Sequence, residues 1–130
     1  MIELREWHDE AGRRHLRFDA DVKVVPYTRM TRRTRFAATK KGARAANYVA
    51  FVASVRQAIC ALMRTRGLAP FGNVALQVHF EINVDRRRLY RVDLSNLVKS
   101  VEDAANRALW LDDRWIVLAH CFKRDAPRDG

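Results

Sequence analysis

Hydrophobic positions change their spacing several times along this chain, and each change marks an element. Phe18, Ala20, Val22 and Val24 alternate with polar residues, the period of two that a half-buried strand requires. The pattern predicts extended segments over Ile2 to Trp7 and Leu16 to Val25, joined by the polar turn His8-Asp9-Glu10-Ala11-Gly12. Pro26 ends the second, because proline offers no ladder donor. Tyr27 to Gly42 has no apolar period and reads as a loop. From Ala43 to Arg66 the spacing becomes three and four: Tyr48, Phe51, Val52, Val55, Ile59, Leu62 and Met63 form the stripe of an amphipathic helix. Gly67 is placed to stop it in a left-handed cap, with Pro70 just beyond.

The second half repeats the logic. Val74, Leu76, Val78, Phe80, Ile82 and Val84 alternate strictly with other residues and predict a strand, followed by a basic loop at Arg86, Arg87 and Arg88. A helix is predicted from Leu94 to Leu109, with Leu94, Leu97, Val98, Val101, Ala104, Ala105 and Ala108 as its stripe. Leu111-Asp112-Asp113 forms the turn out. Arg114 to Phe122 closes as a strand, and its apolar run from Trp115 fits an interior position. The tail from Lys123 to Gly130 is expected to fray. The order β-β-α-β-α-β, with no repeat and no linker, predicts an α+β domain over residues 1–130, a mixed β-sheet covered by two main helices.

Composition adds partners to this outline. The chain is 130 residues long and 48% hydrophobic, enough for a core. It has no run of eighteen apolar residues, so no transmembrane helix is expected, and its first residues lack the order of a signal peptide. Cys60 and Cys121 lie in apolar periodic segments and read as small buried hydrophobes rather than a disulfide, which makes the cytoplasm the default location. The net charge is +10, and its placement matters more than its size. No Asp or Glu occurs between Val22 and Phe80, where eleven Lys and Arg residues do. Seven of these crowd into Arg29, Arg32, Arg33, Arg35, Lys40, Lys41 and Arg44. Such a one-signed surface attracts polyanions and releases counterions when phosphates bind. A solubilising face would mix both signs. A nucleic acid fits the pattern better than a membrane, for which no lipid motif or cationic amphipathic terminus is present.

The chemistry-bearing string is Asp93-Leu94-Ser95-Asn96-Leu97-Val98-Lys99, followed by Asp103 and then Trp110-Leu111-Asp112-Asp113. It resembles the signature of the RusA-like Holliday-junction resolvases. There, an Asp-x-Asp-Asn-Leu-x-x-Lys segment opens a helix and an Asp-Asp pair precedes the next strand. Asp93, Asn96, Leu97, Lys99, Asp103 and Asp112-Asp113 match in order and near-family spacing. The early strand ending in proline, the arginine-rich loop and the helix bearing Tyr48 are consistent with it. The resemblance covers roughly residues 18–123, with only the last third specific. It implies a homodimeric endonuclease, of bacterial or phage origin, that acts on four-way and other branched DNA. It also implies a requirement for Mg²⁺, with Mn²⁺ able to replace it, and no small-molecule cofactor. Asp93 and Asp113 become metal ligands, with Asp112 and Ser95 as further members of the set, and Lys99 an accessory cation. Arg86, Arg87 and Arg88 join the earlier basic run as DNA contacts.

Ser95 stands where the commoner pattern has a second aspartate, and it removes one formal negative charge. Mg²⁺ is often held by one or two carboxylates plus waters. Ser95 holding a water, Asp112 or Glu81 taking its place, and a catalytically weak or inactive DNA-binding relative are the alternatives. A basic RNA-binding protein is a third class, favoured by charge but not by the acidic turn. Chemistry independent of the family points the same way: phosphodiester hydrolysis uses carboxylates to hold a metal and a lysine to neutralise phosphate charge. Each residue also has an ordinary role open to it. Asp93 or Ser95 can cap a helix, Asp112-Asp113 can be a polar turn, and Lys99 and Asp103 can merely pair four apart. His79 and Glu81 share a strand face without a third zinc ligand at recognised spacing. His8 and His15 read as exposed, and Trp110 and Trp115 as core. A helix of sixteen residues from Leu94 to Leu109 would span about 24 Å at ~1.5 Å per residue. Asp93 and Asp113 would then meet one metal only through a chain reversal or a twofold partner.

Overall fold

The computed structural model describes residues 2–28 and 40–125. β1 (Ile2–His8) and β2 (Arg14–Ala20) pair antiparallel from Ile2↔Ala20 to His8↔Arg14. The turn between them is held by Asp9, whose carboxylate accepts the N–H groups of Ala11 and Arg13 at 2.9 and 3.0 Å. The second strand stops at Ala20 rather than continuing to Val25, because the ladder's last pair is with Ile2. Past it, Val22 is exposed, while Val24 packs on the group formed by Ile82, Val84 and Leu97.

α1 (Lys40–Thr65) starts three residues before the expected Ala43, so Lys40, Lys41 and Gly42 belong to a helix and not to a loop. Its stripe matches the sequence pattern: Tyr48, Ile59 and Met63 are buried, and Phe51, Val52, Val55 and Leu62 are half-buried. Gly67, at φ 64, reverses the chain. There the Leu68 N–H reaches the Met63 carbonyl at 2.8 Å and the Gly67 N–H reaches that of Arg64 at 3.1 Å, the paired bonds of a Schellman ending. By length and composition, Gly42–Thr65 would suffice to cross a bilayer, contrary to the expectation drawn from apolar runs. Its inner face is nevertheless committed: Ile59 and Met63 pack with Leu4 of the hairpin and with Ala108.

β3 (Leu76–Val84), α2 (Leu94–Ala105) and β4 (Ile116–Asp125) form a parallel strand pair joined by a helical crossover. The register runs from Leu76↔Ile116 to Val84↔Asp125. The fold is therefore α+β in the order β-β-α-β-α-β, with the strands in two two-stranded sheets rather than one mixed sheet. β3 buries Leu76, Phe80, Ile82 and Val84, half-buries Val78 on the same face, and exposes Gln77, His79, Glu81 and Asn83, as alternation requires. α2 buries Leu97, Ser100, Ala104 and Ala105. Ser100 satisfies its hydroxyl on the Leu97 carbonyl at 2.9 Å.

Three expectations are corrected in this half. α2 ends at Ala105 and not Leu109, because Asn106 leaves the helix at φ −59, ψ 130 and Arg107 takes φ 67. β4 begins at Ile116 after a single 3-10 turn, Asp113–Trp115, and runs on to Asp125 through residues expected to fray. Among the described residues it is also not an interior strand: there it pairs with β3 alone, and Val117 is 67%, Leu118 42% and Phe122 41% exposed. Cys60 and Cys121 are unpaired and half-buried rather than fully enclosed. His15 is not a free surface group, since it stacks on Trp7 with ring centres 5.0 Å apart and meets Asp9 at 2.9 Å.

Leu97, with 0% exposure, gives the first test. Leu97→Ala should cost about 3 kcal/mol in denaturant unfolding through the lost apolar burial and the cavity left behind. Val117→Ser on the open face of β4 should change stability by no more than about 0.5 kcal/mol.

Candidate functional site

The early end of α2 shapes the site. Beyond Ala105 the chain doubles back, with the Ala108 and Leu109 N–H groups on the Ala105 carbonyl at 3.0 and 2.9 Å and the Arg107 N–H on the Trp110 carbonyl at 2.7 Å. Trp110 is 5% exposed, and its indole N–H donates to Asp113 Oδ1 at 2.6 Å. It is core, as expected, and it also orients a carboxylate. Asp113 thereby adjoins Glu102 on the last turns of α2. Burial, and secondly the charge of Asp113, push the Glu102 carboxyl above its ordinary pKa.

One turn earlier, Lys99 pairs with Asp103 at 3.2 Å. The hydrogen bond to Asp103 holds the Lys99 ammonium above its ordinary pKa despite some burial, with Glu102 and Asp113 adding to the effect. Asp103 is gripped from α1 as well. The Tyr48 hydroxyl donates to its carboxylate, and the Arg56 guanidinium donates to its backbone carbonyl. Burial and this carboxylate together raise the Tyr48 pKa. The Tyr27 ring meets that of Tyr48 edge-on at 5.3 Å and lies 6.0 Å from Lys99 Nζ. The Tyr27 N–H is fixed on the Asn96 carbonyl at 3.0 Å.

The proposed ligands divide between two places. Asp93 occupies the N-cap position of α2, yet its side chain makes no capping bond. It is exposed, and among the described residues its carboxylate has no hydrogen-bond or ion-pair partner. Ser95 lies two residues further on, in the first turn of α2, and is also exposed. Asp112 does have the ordinary role: it caps the 3-10 turn by accepting the Arg114 N–H at 3.0 Å. Asp93 follows the C-terminal end of β3, whereas Asp113 precedes the residue that pairs with the N-terminal end of β3. The twelve residues of α2 between them span about 18 Å at ~1.5 Å per residue. Among the described residues, no three His, Cys, Asp or Glu side chains gather closely enough to hold a metal. Asp113 with Glu102 still suits a cation such as Mg²⁺, which takes one or two carboxylates and keeps its waters. A divalent charge there would relieve the repulsion that now falls on Glu102.

Of the expected DNA contacts, Arg29, Arg32, Arg33 and Arg35 lie outside the described residues, as do the side chains of Lys40 and Lys41. Arg44 is exposed on α1. Arg86 and Arg87 are exposed and form no ion pair among the described residues. Arg88 is partly committed, since it donates to the Val24 carbonyl at 3.2 Å. Sequence reasoning missed Glu102, Arg56 and the bond from Trp110 to Asp113. Glu102 carried a signal, because it stands three residues after Lys99, on the same helix face. The other two depend on packing between elements and had none.

The family model described as endodeoxyribonuclease RusA matches residues 21–128. No curated protein matches the chain, and no solved structure does.

Glu102 yields a pH-dependent expectation. A carboxyl whose folded pKa is raised favours the folded state below its ordinary pKa, and that advantage is lost as pH rises through the folded value. Without divalent cations, Glu102→Gln should therefore raise Tm at about pH 7–8 and leave it unchanged at about pH 3, where the native side chain is protonated in both states. Thermal melts across that range check the difference.

Proposed function

The chain belongs to the RusA endodeoxyribonuclease family, nucleases of the Holliday-junction-resolvase type, and we propose on that basis that it cuts four-way DNA junctions as a magnesium-dependent homodimer. The observation that carries the finer reading is the placement of Asp93 and Asp113 at opposite ends of β3-α2-β4. Among the described residues the Asp93 carboxylate has no partner within the protomer, and Asp113 is held in place by Trp110. A twofold dimer supplies what a protomer lacks, by setting Asp93 of one copy beside Asp113 of the other. The same symmetry matches a four-way junction, in which two equivalent strands must be cut.

Within each site, Asp113 and Glu102 would hold the cation, and Mn²⁺ can replace Mg²⁺ on such oxygen ligands. The cation supplies Lewis-acid activation of phosphate and water. Lys99, kept protonated by Asp103, offers charge to a non-bridging phosphate oxygen as the transition state develops. Asp93 completes the carboxylate set, and Ser95 beside it can orient a water. Arg86 and Arg87, with Arg44 and the arginines of residues 29–35, bind flanking phosphates and steer the junction in. The setting would be the cytoplasm of a bacterial cell, with the gene belonging to the host or to a prophage.

A labelled four-way junction tests the reading. Paired symmetric nicks should appear with Mg²⁺ and disappear with chelator, and Asp113→Asn should slow cleavage about a hundredfold or more. Mixing Asp93→Asn with Asp113→Asn protomers then probes the shared site. A heterodimer of these two keeps one site with both aspartates, so single nicks should return. A mixture as inactive as its parents would reject the shared arrangement. Tight junction binding without nicks under any divalent cation, cured by Ser95→Asp, would identify a non-catalytic relative instead.

A further inference from the structure

Lys99 reaches phosphate only if its long, flexible side chain is aimed, and its own helix cannot do this alone. The Lys99 side chain is 48% exposed, whereas that of its partner Asp103 is 22% exposed and the residue is held at three points. Asp103 accepts from the Tyr48 hydroxyl, its backbone carbonyl accepts from Arg56, and its carboxylate faces Lys99 at 3.2 Å. Tyr48 is only 6% exposed and cannot turn away. Tyr27 closes the other side, with its ring edge-on to Tyr48 and 6.0 Å from the Lys99 nitrogen.

We propose that Asp103 and Tyr48 are positioning residues: Asp103, held by Tyr48 of the neighbouring helix, anchors the Lys99 ammonium so that it points at the phosphate being cut. The proposal rests on the assignment of Lys99 to the reaction. An exposed i,i+4 ion pair normally contributes little, because both side chains are mobile. Here one partner is fixed by groups on another element before the lysine arrives. The entropy of placing the ammonium is therefore largely met by folding, not at the moment of reaction, which is what orientation contributes to catalysis. Asp103 carries no second free face. Its remaining oxygen belongs to Tyr48, so the carboxylate does not compete for the cation expected at Asp113 and Glu102.

A double-mutant cycle on junction cleavage separates positioning from general structural damage. Lys99→Met should lower kcat by about a hundredfold. Asp103→Asn keeps the shape and the Tyr48 bond but loses the ion pair; it should lower kcat by about tenfold with KM little changed. In the Lys99→Met background, Asp103→Asn should cost nothing more. Tyr48→Phe should behave the same way at smaller amplitude, and it stands in if Asp103→Asn does not fold. An equal loss from Asp103→Asn in both backgrounds, or no loss in either, overturns the positioning role. Full activity of Lys99→Met rejects the underlying assignment of Lys99. A second readout needs no cleavage: competitive acylation of lysines at about pH 9, relative to exposed Lys23. Releasing Lys99 from its partner lets it deprotonate more readily, so Asp103→Asn should raise its labelling severalfold. Unchanged labelling would show that the anchor is not formed.

Discussion

Parallel pairing of β3 with β4 is the constraint on which the rest depends. Two parallel neighbours need a crossover, because the chain must return to the starting end before it can run alongside again. α2 is that return. Whatever opens α2 therefore sits at one end of the unit, and whatever follows it sits at the other. Asp93 and Asp113 are separated by that requirement rather than by side-chain detail. The reversal at Asn106 and Arg107 shortens the helix. It folds Asp113 back against Glu102.

The basic and acidic parts of the molecule are thus built on different supports. Arg44 on α1 and Arg86 and Arg87 on the turn after β3 sit at exposed positions, where charge suffices for attracting phosphate. The acidic group needs its neighbours. Asp113 depends on a buried tryptophan, Glu102 is partly desolvated against it, and Asp103 is fixed by α1. Binding a polyanion tolerates loose placement, because counterion release is largely indifferent to geometry. Hydrolysing one particular bond does not tolerate it.

How much was legible in the sequence follows the same division. The strict alternation through Phe80 and Ile82, the helical stripe through Ile59 and Met63, and the Gly67 stop all emerged as the pattern implied, because each is a local rule. The family likeness of Asp93 to Asp113 was legible too. Boundaries set by a partner were not. The end of β2 depends on the length of β1. The exposure of β4 depends on its having β3 as its one neighbour among the described residues, although its apolar run reads as interior. At the site, Lys99 and Asp103 were visible as a helical pair, but the reason the pair is fixed lies on α1, some fifty residues away in sequence. Asp93 had an ordinary capping role available and does not use it, whereas Asp112 does.

The parallel pair also sets the order in which these parts can form. The hairpin of β1 and β2 and the turns of α1 involve near neighbours along the chain. Joining β4 to β3 closes a loop through the whole of α2, and such non-local contacts are the slower ones to gain. Trp110 and Asp113 lie at the far end of that loop. The acidic corner therefore exists only once this loop is closed, whereas the exposed cation of α1, Arg44, needs no more than the helix that carries it.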